Sequence, residues 1–151
     1  MSTVEFRPTG RTHPRSAEFS LLGTLLQVQV RSGNDLATLA VERVGVEVID
    51  RLGEHGLKAD ELQFIIPRRT LSHRRQSGER LSPDESDKAI RLARIVAQAE
   101  AVFGTPQKAM QWLRGRKQRF GDKTALEMAA TEHGARLVEE ALVGIDEGYF
   151  A

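Results

Sequence analysis

From residue 35 onward the apolar side chains recur every three or four positions, the repeat of a helix with one face turned inward. Leu36, Leu39, Ala40 and Val44 form one such face, and Val46, Ile49 and Leu52 the next. Leu92, Ile95, Val96, Ala99, Val102 and Phe103 line a much longer helix, which carries a second stripe of small residues, Ala89, Ala93, Ala97 and Ala101. Two apolar stripes predict cover on two sides. This helix therefore reads as a beam joining two halves of the molecule, with the alanine row open to close approach by another helix of the chain or of a dimer mate. Ala109, Trp112 and Leu113 make a short face, with Trp112 a core residue; Leu137, Val138, Ala141, Leu142 and Ile145 make the last. Residues 19–30 are ambiguous: Phe19, Leu22 and Leu26 have helical spacing, whereas Val28 and Val30 alternate as in a strand. A short helix is the reading that agrees with the rest of the chain. The pattern predicts an all-α fold.

Capping residues and breakers divide these faces. Asn34 reads as the cap of a helix beginning at Asp35, Gly45 breaks it, and Gly56 ends the next. Residues 57–66 hold Leu57, Leu62, Ile65 and Ile66, read as a short helix that Pro67 stops. A second short helix runs from Arg68 to Gly78 around one apolar residue, Leu71. Ser82, Pro83 and Glu85 spell a capping box with proline at the first helical position, and Asp84–Lys88 and Asp87–Arg91 are favourable i,i+4 pairs. Thr105-Pro106 starts another helix, the basic stretch 114–123 reads as a loop, and Thr124 with Glu127 reads as a second capping box. Behind it Leu126, Ala129 and Ala130 face inward. Gly134 opens the last helix or packs closely within it, and Gly148 ends it.

Charge changes the picture more than composition does. The 151 residues are 40% hydrophobic and 28% charged, ordinary for a globular chain, and a net charge of +1 conceals two segments of opposite sign. Residues 66–80 hold five arginines against one acid, and residues 124–151 hold six acids against one arginine. Two partners are the functional reading; two solvated faces are the alternative. There is no cysteine, no apolar run long enough for a membrane span, and no signal-peptide core. Residues 1–16, with two prolines and three arginines, read as a flexible arm. His13, His55, His73 and His133 lie far apart, and no nucleophile motif or glycine-rich phosphate loop is present. The chain does not read as an enzyme, and neither a cofactor nor a metal is expected.

A short helix, a turn, and a second helix with an arginine-rich outer face is the helix-turn-helix arrangement, whose second helix enters the DNA major groove. Arginine suits that role because its planar fork pairs with guanine edges and phosphates. Arg68, Arg69, Thr70, Ser72, His73, Arg74 and Arg75 are the candidates for DNA contact. Binding to a two-part operator implies a homodimer, with the alanine row or the N-terminal helices as its face.

ESDKAIRLARIVAQAEAVFG, then Trp112-Leu113, then GDKTALEMAATEHGARLVEEALVGIDEGYFA resembles the Xre/MbcA/ParS-type antitoxins, partners of toxins that carry a RES domain. The resemblance covers about residues 57–151, with Ala125 where the family usually has proline and a loop at 114–120 more basic than usual. It implies an N-terminal Cro-like helix-turn-helix part (17–80), behind the arm, joined by the long helix to a helical toxin-binding domain (81–151). It further implies a cytoplasmic antitoxin with two partners, operator DNA and a RES-domain toxin that consumes NAD or transfers from it. Such an antitoxin represses its own operon and reaches the toxin's active-site cleft with its C-terminal helix and tail. On this chain those residues are Glu139, Glu140, Asp146, Glu147, Gly148, Tyr149, Phe150 and Ala151. The competing reading is a stand-alone helix-turn-helix regulator whose C-terminal half only dimerises.

Overall fold

A computed structural model of the chain describes residues 14–148. The arm is therefore almost wholly outside the described residues, as are Tyr149, Phe150 and Ala151. The fold is all-α, with eight helices among the described residues and one two-stranded ribbon.

The ambiguous stretch is helical: α1 spans Pro14–Leu26, buries Leu22, Leu25 and Leu26, and ends where Gln27 turns to positive φ. Residues 28–31 belong to neither helix nor strand, and Val30 returns to the core. Helix α2 (Gly33–Glu42) starts two residues earlier than a cap at Asn34 predicts. Its N-cap is Ser32, without a side-chain cap bond, while Asp35 turns back to accept the backbone N–H of Arg31 at 2.8 Å. It also stops before Gly45, because Arg43 takes φ +75. That strained residue is held by its own side chain, which donates to the carbonyls of Leu81 and Arg80 at 2.7 and 2.9 Å. The neighbouring Val44 N–H is received by the buried Ser86 hydroxyl, so the α2–α3 corner is tied to the entrance of the long helix.

Helix α3 (Glu47–Glu54) buries Val48, Ile49 and Leu52. Residues 57–66 bury Leu57, Leu62, Ile65 and Ile66 as the pattern predicts, but they form a run of turns rather than a regular helix. Leu62 N–H is shared between the carbonyls of Lys58 and Ala59, and the next bonds reach back three residues. With Pro67 five residues beyond Leu62, the segment is too short to settle into four-residue repeats. Helix α4 (Arg68–Ser77) follows, and Gly78 closes it in the left-handed conformation at φ +66, where glycine carries no Cβ penalty.

Helix α5 (Pro83–Phe103) is the beam. Both halves of its capping box form, Glu85 N–H to the Ser82 hydroxyl at 3.1 Å and Ser82 N–H to Glu85 at 2.7 Å. The Asp84–Lys88 and Asp87–Arg91 pairs also form, each at 3.1 Å. Helices α1, α2, α6 and α8 all pack on α5, with α1 along the greatest length. Ala89, Ala93 and Ala97 are fully buried inside the chain, so that row is used for intramolecular packing and is not a dimer face.

Helix α6 (Pro106–Arg114) starts at Thr105, whose hydroxyl accepts from Lys108 N–H. The basic stretch after it is not a plain loop. Strand β1 (Arg116–Lys117) pairs antiparallel with β2 (Lys123–Thr124) around a 3₁₀ turn at Gln118–Phe120. Trp112 is half-buried, with Phe103 on one side (5.7 Å between ring centres) and Phe120 edge-on to it. Helix α7 (Ala125–Met128) has half of the predicted box: Thr124 accepts from Glu127 N–H, without the reciprocal bond. It is one turn long, and Ala130 beyond it is exposed rather than inward. Helix α8 (Glu132–Asp146) completes the fold.

Candidate functional site

Two helices carry the predicted site residues, and the structure sorts those residues into free and engaged. On α4, Arg68, Arg69, Ser72 and His73 are exposed and share one face, set by the spacing i, i+1, i+4, i+5. Gln76, at i+8, completes that face and was not singled out from the sequence. Its position relative to Arg68 was the available signal, and glutamine is suited to pair with adenine edges. None of these five side chains has a hydrogen-bond or ion-pair partner among the described residues.

The opposite face is docked. Thr70 and Leu71 are half-buried. Arg74, with a side chain only 20% exposed, reaches Glu79 at 3.0 Å and Glu85 at 3.0 Å. Arg75 grips Asp50 of α3 through two bonds of 2.9 and 3.0 Å. Arg74 and Arg75 therefore hold α4 in place, while the other face remains open. Glu85 has a double duty, closing the α5 capping box and receiving Arg74. Burial pushes its carboxyl up, but the Ser82 N–H and the Arg74 guanidinium outweigh burial and leave it below its ordinary value. The hydrogen bonds from Arg75 likewise hold Asp50 low.

The connection into α4 is fastened to the C-terminal half. Arg114, at the end of α6, forks onto Glu61 at 2.7 and 3.0 Å and also donates to the Gly56 carbonyl. This contact holds the Glu61 carboxyl below its usual range. His55 Nδ1 lies 2.5 Å from Glu100, a carboxylate only 5% exposed on the last turns of α5. Gly56, at φ +112, sits so close to Met110 that a Cβ there would lie 3.0 Å from its Cγ.

On α8 the inward face is Gly134, Ala135, Val138, Ala141 and Leu142. Glu139 is part of the scaffold, because Arg94 donates to it at 2.7 and 3.1 Å and Gln98 donates to its carbonyl. Glu132 receives Arg91 at 3.2 Å. Glu140 and Glu147 are exposed without partners among the described residues, Asp146 is half-buried, and Gly148 is exposed at φ +88. Leu137, read as inward, is 48% exposed, and Val143 is 47% exposed. With Glu140 and Glu147, and the exposed Arg136 one turn before Glu140, they form an outer stripe, apolar and net acidic, that the periodicity did not single out. Among the described residues no group of three or more acids and histidines is placed to hold a metal ion.

Residues 35–94 match the model of the antitoxin Xre-like helix-turn-helix domain, and residues 98–148 match that of the antitoxin Xre/MbcA/ParS C-terminal toxin-binding domain. The chain is 39% identical over 130 residues to a Pseudomonas putida protein named antitoxin Xre, covering 85% of this chain and 82% of that one. An antitoxin Xre of Yersinia enterocolitica is 30% identical over 87 residues, covering 57% of this chain and 59% of that one.

Proposed function

The chain belongs to the Xre antitoxin family, and on that premise we propose that it joins two binding activities in one rigid body. With its α4 face it reads operator DNA and represses its own operon. With α8 and the residues after it, it neutralises a RES-domain toxin that consumes NAD. The observation that carries this reading is the pair of open faces of opposite charge. One presents Arg68, Arg69, Ser72, His73 and Gln76; the other presents Leu137, Glu140, Val143 and Glu147.

An apolar stripe edged with acids suits a groove with a basic rim, the helix-in-groove mode of recognition. A toxin cleft that receives a dinucleotide with two phosphates has that character. Tyr149, Phe150 and Ala151 follow directly in sequence after Gly148, whose positive φ turns the chain out of the helix. In this proposal they enter the cleft and fill the space of a nicotinamide or adenine ring. The test is deletion of residues 149–151, with toxin and antitoxin co-expressed and both growth and cellular NAD followed. Loss of protection by a variant that still melts like the full chain is the expected result. Full protection by the deleted protein would refute the plug.

A further inference from the structure

We propose that the basic ribbon after α6 is a second DNA contact, in which Arg116, Arg119 and Lys123 meet phosphates beside the site read by α4. This rests on α4 being the DNA-facing helix, and it gives the ribbon a role outside the toxin-binding domain whose model it matches.

The first support is free charge. Arg116, Arg119 and Lys123 are exposed within eight residues of chain. Their one acid, Asp122, lies 3.9 Å from Arg116, which also donates to the Asp122 carbonyl at 3.3 Å, while Arg119 lies over the Phe120 ring and Lys123 has no side-chain partner among the described residues. Two neighbouring cations are already engaged and take no part. Arg114 is neutralised by Glu61. Lys117 lies over the Trp112 ring at 4.3 Å and donates to the carbonyls of Trp112 and Gly115, and burial lowers its pKa. Three exposed cations on a short ribbon suit a phosphate chain, which needs charge at intervals rather than shaped pockets.

The second support is position. The end of α4 is pinned by Arg74 to Glu85, in the first turn of α5. The connection entering α4 is pinned by His55 to Glu100, in the last turns of α5, and by Glu61 to Arg114. Glu85 and Glu100 are separated by about 22 Å of helix at 1.5 Å per residue. Helix α4 therefore runs back along the molecule with Arg68 and Arg69 toward the α6 end, and β1 begins two residues after Arg114. The free arginines of α4 are thus on the end of that helix directed toward the ribbon, about 9 Å of helix beyond Arg74.

The experiment compares the full chain with a triple variant, Arg116→Ser, Arg119→Ser and Lys123→Ser. Binding is followed by fluorescence anisotropy to a labelled duplex from upstream of its own gene and to a scrambled duplex, over a series of KCl concentrations. Each phosphate contact contributes about 0.9 to the slope of log affinity against log salt, so the slope flattens by roughly 2.7 on both duplexes. The preference for the upstream duplex stays unchanged, and the variant Arg116→Lys with Arg119→Lys restores most of the slope. An unchanged slope in the folded triple variant overturns the proposal. So does loss of toxin capture with the slope intact, which would assign the ribbon to the toxin. The upstream-over-scrambled preference of the unaltered chain reports separately on base reading by α4, so the two ideas fail independently.

Discussion

A Cβ built on Gly134 would stand 1.9 Å from the Met128 carbonyl oxygen, 2.8 Å from its carbon and 3.0 Å from the Thr131 hydroxyl. The first two are backbone atoms of the last residue of α7, where the chain turns toward α8, so no flexible side chain can give way. Gly134→Ala forces that turn apart. Overpacking of this kind costs about 1–3 kcal/mol, with a contact this short at the upper end, against a helix-propensity gain of about 1 kcal/mol. The net loss is about 1–2 kcal/mol, a fall in Tm of roughly 3–8 °C for a chain of this size. Gly53→Ala is the matched control. Gly53 sits on α3 with open space around it and no positive φ, so the same added methyl stabilises by about 0.5–1 kcal/mol. Thermal and urea unfolding of both variants check the argument, and the two shifts have opposite sign. Because Gly134 seats α8, toxin capture falls in Gly134→Ala before DNA binding does. A Gly134→Ala protein that melts at or above the unaltered chain would show that the α7–α8 corner has room for a methyl group.

Arg68→Ala and Arg69→Ala leave the melting curve unchanged and weaken binding to the upstream duplex by about 1–3 kcal/mol for each bidentate base contact. Arg74→Ala instead lowers Tm, since it empties the Glu85 contact; equal effects in both assays for all three would contradict the division of α4 into free and docked faces. Leu137→Asp with Val143→Asp preserves folding and weakens toxin capture by about 2 kcal/mol or more, read by titration calorimetry, because both side chains already face solvent. The carboxyls of Glu61 and Glu85 lie below their ordinary 4.5, and that of Asp50 below 3.8. Their contribution is complete above those unfolded-state values and is lost as pH falls through the lower folded ones. Glu61→Gln is therefore less stable than the unaltered chain at neutral pH, and the gap narrows below about pH 4.5 in urea titrations. A gap independent of pH would show that the Arg114 contact is not the source.

Caps and stripes act over three or four residues, so the helices and most of their ends are legible in the chain alone. Ser82, Pro83 and Glu85 place the start of α5 whatever surrounds it, and the spacing of Leu92, Ile95 and Val96 names its buried face. The motif pattern likewise carried the family. Local signals misplaced boundaries and short elements: residues 57–66 became turns and the basic loop folded into a ribbon, each lacking the length to impose its own repeat, while α2 starts from Ser32 rather than Asn34 and Leu137 lies outside the buried face of α8. What the tertiary structure decided is which charges are free. Arg68 and Arg74 look alike in the chain, as do Glu140 and Glu139, yet the second of each pair is consumed by Glu85 and Arg94. Those partners are 11 and 45 residues away in sequence, and Arg114 finds Glu61 across 53. A charge pair forms only within a few ångströms, so its membership follows from how α4, α6 and α8 are set against the rest of the fold, which no local pattern records.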